Sequence, residues 1–252
     1  MDELKNFLQD KKSFIVILPP NPNPDLVSAG VSLHLSLKNS DKQSQIGCGS
    51  TFTHFSNIEG QDEIVESIGS KNLVISFDYP EEYLEKVDYD VLPGGKFCLM
   101  IRPKDGSPVP KTTDVKYSYS GANADLVVVL GINSLEELGK IYADEKKYLD
   151  EAKILSLNLT ATAPSFTPNA FHHPLSSFSE LIALFLERVS LSPSSTASTN
   201  LVRSIHETTT GFTGPKISAE TFSTLSFLMK NGGQLPSSRP VNPFVNSFST
   251  QP

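Results

Sequence analysis

Ser13-Phe14-Ile15-Val16-Ile17-Leu18-Pro19-Pro20-Asn21-Pro22-Asn23-Pro24-Asp25 is the stretch on which the fold turns. Its apolar run shows no polar alternation and is closed by prolines, which suits a strand buried on both faces, the habit of parallel sheets. Asp25 then stands where a helix cap belongs. Leu26, Ala29, Leu33 and Leu37 follow at helical spacing, so a helix is expected to the neighbourhood of Asn39.

The same alternation continues outward. Residues 45–48 read as a short strand, 63–68 as a short helix and 72–77 as another buried strand. Residues 89–92 and 96–101 flank Pro93-Gly94-Gly95, a turn signal between two strand-like runs, so a hairpin is expected, with a further strand over 114–120. The parallel pattern resumes at Ala124-Asp125-Leu126-Val127-Val128-Val129-Leu130-Gly131. A capped helix over 134–149 comes next, with Glu136 and Glu137 in a first turn that favours anions, and then the buried strand 153–157. A Thr-, Ala- and Pro-rich loop spans 158–174, and three helices are expected near 177–189, 194–207 and 218–230, with Ser177, Ser194 and Ser218 as caps. The fold class is α/β: a doubly wound parallel sheet of about five strands, an inserted hairpin region over about 88–120 and a helical C-terminal part. Residues 1–231 form the expected domain. Residues 232–252, rich in Gly, Pro, Ser, Asn and Gln, read as a disordered tail in which Phe244 and Phe248 are incidental aromatics or weak docking anchors for a protein partner.

Composition sets limits on function. The 252 residues carry 21 Lys and Arg against 28 Asp and Glu, a net charge of -7, so no general positive field exists to hold a polyanion and no extended nucleic-acid surface is expected. Apolar stretches such as 126–130 and 181–186 are far below the roughly 20 residues of a membrane span, and Met1-Asp2-Glu3-Leu4-Lys5-Asn6 is too polar for a signal peptide. A cytoplasmic protein without membrane contact is the expectation. Cys48 and Cys98 lie far apart with no partner at metal spacing, so neither a disulfide framework nor a zinc site is indicated.

In open parallel sheets, ligands sit beyond the carboxyl ends of the strands. Those ends read Pro20 to Asp25, Asp78-Tyr79, Gly131-Ile132-Asn133 and Asn158-Leu159-Thr160. The order of segments is informative: Asn23-Pro24-Asp25 entering a helix that holds Ala29-Gly30-Val31-Ser32-Leu33; the 124–130 run before Ser134-Leu135-Glu136-Glu137-Leu138-Gly139; Ser176-Ser177-Phe178-Ser179-Glu180-Leu181-Ile182; and Ser204-Ile205-His206-Glu207-Thr208-Thr209-Thr210-Gly211-Phe212. That order resembles the DHH phosphoesterase superfamily, relatives of oligoribonucleases, cyclic-dinucleotide phosphodiesterases and RecJ-type exonucleases. The resemblance implies hydrolysis of phosphodiester or phosphoanhydride bonds by two manganese-type ions held by Asp and His. Such ions activate water and neutralise charge developing on phosphorus.

Carried over position by position, the ligands are mostly replaced. Asn21 stands at the family's first His, Asp25 is kept, and Val27 replaces the next Asp. Gly131 stands where an acidic residue is expected. The Asp-His-His signature falls on Asn158, Leu159 and Thr160, and the last Asp on Thr208. Neutral oxygens bind hard cations more weakly than carboxylates do, and Leu159 cannot ligate a metal. No metal or other cofactor is therefore expected, the alternative being weakly bound Mn or Mg. The resemblance also implies a second, smaller domain with a Gly-rich motif that closes over the metal site in active members; none is expected in this chain.

Three other clusters are weighed against bland readings. His172-His173 lies in the loop before Pro174; adjacent side chains in extended backbone point to opposite faces, which favours a loop role over metal binding. His206-Glu207 at a helix end and Asp78 ahead of Glu81-Glu82 are alternative acid and base candidates; helix-dipole placement is the favoured reading of His206 and explains Asp78 equally well. Arg102, Lys104 and Asp105-Gly106 read as a polar turn. The expected function is a catalytically degenerate DHH-type homologue that binds a nucleotide, phosphate or protein. The alternative is a weakly active metal-dependent phosphodiesterase, acting on an oligonucleotide or cyclic dinucleotide, with a rearranged site around Asp25, Asp78 and His206.

Overall fold

A computed structural model describes residues 2–51, 54–69, 72–215 and 217–236. They form two compact units: one from the residues up to Glu66 together with those from Ala124 onward, the other Ser67–Asn123. The insert is thus wider than the 88–120 expected and folds as a unit of its own.

The larger unit is built on a sheet. After helix α1 (Asp2–Gln9), strand β1 (Ser13–Leu18) leads into helix α2 (Pro24–Asn39), followed by β2 (Gln43–Cys48) and β3 (Ile64–Val65). Beyond the insert come β8 (Leu126–Leu130), helix α3 (Lys140–Glu151), β9 (Ile154–Asn158), β10 (Asn169–His172), and helices α4 (Phe178–Arg188), α5 (Ser195–Thr208) and α6 (Ala219–Lys230). Six strands run parallel in the order β10-β9-β8-β1-β2-β3, so the expected doubly wound α/β class is the one observed.

This order fixes the placement of the helices. The β1-to-β2 connection moves one way across the sheet and β8-to-β9 the other. Right-handed crossovers therefore lay α2 and α3 on opposite faces, and the reversal occurs between neighbouring β1 and β8. Burial agrees. Phe14, Val16 and Leu18 join Leu126, Val128 and Leu130 in one core cluster with Val27, Leu33, Leu181, Phe185, Leu201 and Ile205 of the helices. Ile15, Ile17, Val127 and Val129 alternate to the other face and are equally buried, as are Leu138, Ile141 and Leu149 in and just before α3. At about 25 cal/mol per Å² of apolar surface removed from water, these continuous strands are the main source of cohesion.

Gly30 allows α2 to lie flat on the sheet: a Cβ there would come 2.7 Å from Leu18 Cδ2 and 3.3 Å from Ile46 Cδ1. His34, also on α2, is buried and ties the helix to the sheet edge, with Nδ1 2.8 Å from Ser44 Oγ and Nε2 3.0 Å from Glu63 Oε2. A carboxylate only accepts, so Nε2 carries the proton and Nδ1 accepts from Ser44. Burial holds the imidazole below its ordinary range, against the opposing pull of Glu63. Asp125 clamps the start of β8 to β1 by accepting from the amides of Lys12 (2.8 Å) and Ser13 (3.0 Å), which lowers its carboxyl.

Several expectations need correction here. The helix expected over 63–68 is a 3-10 turn, Gln61–Glu63, running into β3. The segment 72–77 is not a buried parallel strand: in the smaller unit β4 (Asn72–Ser76) pairs antiparallel with β7 (Lys116–Ser120), and its Leu73 and Ile75 are exposed. The hairpin forms as expected, from β5 (Leu84–Leu92) and β6 (Lys96–Pro103) around the Gly94-Gly95 turn. The helix over 134–149 begins as a 3-10 turn, Leu135–Leu138, before α3. β10 lies inside the stretch read as loop, and α1 in the polar lead-in. Ser177, Ser194 and Ser218 do cap α4, α5 and α6, each accepting from the third amide of its helix. Of the segment 232–252, only residues up to 236 are described, so Phe244 and Phe248 lie outside the described residues. Among the described residues no helix is long and apolar enough to cross a membrane.

Candidate functional site

The reversal between β1 and β8 puts the crevice of this fold at the loops that follow these strands, together with the end of β9. Asp25 enters it from the first turn of α2, but it does not cap that helix. Asn23 does, its Oδ1 accepting from Leu26 N at 2.9 Å, with Pro24 opening the helix. Asp25 instead reaches across to the start of α4. Its Oδ2 accepts from Phe178 N at 2.6 Å and its Oδ1 from Ser179 N at 3.0 Å and Ser204 Oγ of α5 at 2.9 Å. With Glu180 N bonded to Ser177 Oγ, the first three amides of α4 all have acceptors. A buried carboxylate at a helix N-terminus is favoured by the dipole, and here both oxygens are committed to holding three helices together.

Gly131, at the end of β8, adopts φ +68°, and a Cβ there would lie 3.0 Å from Phe178 Cζ and 3.2 Å from Leu26 Cδ2. Two apolar side chains thus occupy the space into which an acidic side chain from this position would project. Asn158, at the end of β9, is buried. Its Nδ2 donates to Ile132 O at 3.1 Å and its Oδ1 accepts from Leu159 N at 2.8 Å, so the amide closes the gap between the ends of β8 and β9.

The other positions weighed in the sequence engage separate neighbours. Val27 is fully buried in the core cluster, and Leu159 packs against it. Asn21 is exposed at φ +52°, and its amide donates to Ser50 Oγ at 2.8 Å. Thr160 Oγ1 lies 3.0 Å from His172 Nδ1, and Thr208 Oγ1 donates back along α5 to Ser204 O at 2.8 Å. Asp25 and Ser204, close in space, are the nearest to a polar cluster, and neither oxygen set is free.

The histidines are accounted for separately. His172 and His173 do face opposite ways. His172 Nε2 lies 3.1 Å from buried Ser156 Oγ and its Nδ1 2.8 Å from Thr162 O, whereas His173 packs on the Phe171 ring at 4.7 Å between centroids. His206 sits in the last turn of α5 with its ring edge-on to Phe212 at 5.1 Å. Asp78 is exposed and belongs to the smaller unit. Among the described residues no three His, Cys, Asp or Glu side chains are grouped so as to hold a metal ion. The donor set therefore does not fit a pair of divalent cations: one committed carboxylate, one amide turned as donor to a carbonyl, and otherwise apolar side chains or hydroxyls bonded locally.

Three residues that matter most here, Leu26, Phe178 and Ser204, stand in the sequence within a periodic helix or quoted segments and are not read there as site residues. The signal available was Phe178 directly after the cap Ser177, a bulky residue at the mouth of a crevice.

No family model matches the chain, and no curated protein sequence matches it. Among solved structures, an exopolyphosphatase-related protein from Bacteroides fragilis aligns over 92% of this chain and 56% of its own, with a TM-score of 0.59 and 15% identity. A putative family II inorganic pyrophosphatase from Methanococcus jannaschii aligns over 87% of this chain and 56% of its own, with a TM-score of 0.43 and 12% identity. The chain thus spans little more than half the length of either. At such identity the likeness to the first is one of fold alone, the parallel α/β arrangement described above.

Proposed function

We propose that this chain is a phosphoesterase-type fold without a hydrolytic centre, acting as a binding module whose partner is a protein rather than a nucleotide or phosphate at the strand ends. The observation that carries the reading is the filling of the crevice: Phe178 and Leu26 stand against Gly131, while both Asp25 oxygens hold α4 and α5. A two-metal mechanism needs open coordination positions on carboxylates and imidazoles. A phosphate bound in place of the metals needs free donors, and the first amides of α4, the nearest natural anion site, are taken by Asp25 and Ser177.

The test is hydrolysis by the full chain of pyrophosphate, short polyphosphate, a chromogenic phosphodiester, short oligoribonucleotides and cyclic dinucleotides, with Mn, Mg or Co supplied. No turnover above buffer is expected on any of them. Metal-dependent turnover lost in Asp25→Ala would overturn the proposal in favour of an active phosphodiesterase.

A further inference from the structure

The β5–β6 hairpin is a two-stranded ribbon of nine and eight residues. Its register sorts the side chains by face. Val87 lies opposite Ile101, Tyr89 opposite Leu99 and Val91 opposite Phe97, so all six apolar side chains share one face. Lys86, Asp88, Asp90, Lys96 and Arg102 project from the other, interleaved with Leu92, Cys98 and Met100, and there Asp88 pairs with Lys86 and Arg102, each at 3.0 Å. The apolar face is open to water. Tyr89, Phe97 and Val91 keep 71%, 62% and 60% of their surface exposed, and Val87 and Leu99 are also exposed. The Tyr89 and Phe97 rings stack on each other at 5.6 Å, which makes a flat aromatic platform along one diagonal.

A two-stranded ribbon is marginal by itself in water, and a contiguous apolar patch of this kind on a monomer marks an interaction site. We propose that its occupant is the same face of a second copy of this chain. The face itself carries no charge, so nothing on it selects an acidic, basic or phosphorylated partner. It is instead self-complementary. In a two-fold arrangement, the aromatic diagonal of one ribbon lies on the aliphatic Val87 and Leu99 of the other, as in face-to-face sheet packing. Five exposed apolar side chains offer on the order of 500 Å² per copy, so a symmetric pair buries roughly 1,000 Å², the size at which specific interfaces begin. The dimer is accordingly of moderate affinity. This inference is independent of whether the strand-end crevice is inert.

Sedimentation of the full chain over about 1 to 200 μM tests it. The expected result is a mass rising with concentration from 27.5 kDa towards twice that value, and Phe97→Asp and Tyr89→Lys should each weaken the association at least tenfold. Because either variant could disturb the ribbon itself, amide exchange of the wild-type chain gives a second readout. Protection over 84–103 should increase across the same concentration range while protection of β1 and β8 stays constant. A monomer at every concentration, association unchanged in both variants, or ribbon protection independent of concentration would each overturn the proposal.

Discussion

Placing a methyl group on Gly131 probes the filled crevice with one atom. In Gly131→Ala, the residue keeps φ near +68°, where an L-residue pays about 1–2 kcal/mol. Its Cβ also presses on Phe178 Cζ at 3.0 Å and Leu26 Cδ2 at 3.2 Å, an overpacking that costs about 1–2 kcal/mol when the neighbours can shift by a few tenths of an ångström. The sum, about 2–4 kcal/mol, corresponds to a fall in Tm of roughly 4–15 °C for a unit of this size. Gly131→Asp adds a carboxylate held against apolar surface and should cost more than the alanine. The assay is urea denaturation followed by far-ultraviolet circular dichroism. A cycle with Phe178→Ala then isolates one contribution: the Phe178 share of the steric cost should vanish on the truncated background, a coupling of about 1 kcal/mol or more, while the Leu26 contact and the backbone part persist. Gly131→Asp as stable as wild type would refute the reasoning, because it would mean that the crevice has room for a charged, hydrated side chain.

Asp25→Asn should cost about 2–4 kcal/mol in the same denaturation assay, because an NH2 group replaces one of two acceptors facing buried amides; an unchanged midpoint would contradict the capping role. Asn158→Asp turns a donor to the Ile132 carbonyl into an acceptor, so the variant should lose about 2–3 kcal/mol at pH 7 and recover part of that at pH 4, where protonation restores a donor. For His34, burial lowers the folded pKa, so the unfolded chain takes up the proton first. Its contribution is whole above about pH 6.5 and drains as pH falls below that, whereas Glu63, held low first by Lys38 and then by His34, keeps its contribution until about pH 4.5. The difference in urea midpoint between pH 7.5 and 5.5 should therefore shrink in His34→Gln, and an equal difference in both proteins would exclude His34 as its source.

Much of the larger unit is legible from residues alone because its strands are continuous apolar runs bounded by prolines, caps and glycines. β1, β8 and β9, and the three serine-capped helices, all carry such signals. The insert misleads for the opposite reason. Leu73-Val74-Ile75 looks like a core strand, but in a two-stranded sheet its outward side chains face water. Short apolar runs do not reveal which kind of sheet receives them. β10 has no apolar run at all, being held at the sheet edge by Asn158, Ser156 and Leu155 across the ladder. At the site, the lack of carboxylate or imidazole at Asn21, Val27, Gly131, Leu159 and Thr208 is visible residue by residue. What took the space is not. Asp25 bonds to residues more than 150 positions away, and no spacing rule indicates that Phe178 turns towards Gly131.

Titration of free Mn2+ with the full chain, read from the electron-paramagnetic signal of the aqueous ion, is the most direct measure of whether this fold keeps a cation centre. The account predicts that the signal keeps its full amplitude when the chain is added in stoichiometric amount, for wild type and Asp25→Asn alike. Loss of about two equivalents of signal per chain, abolished by Asp25→Asn, would contradict it.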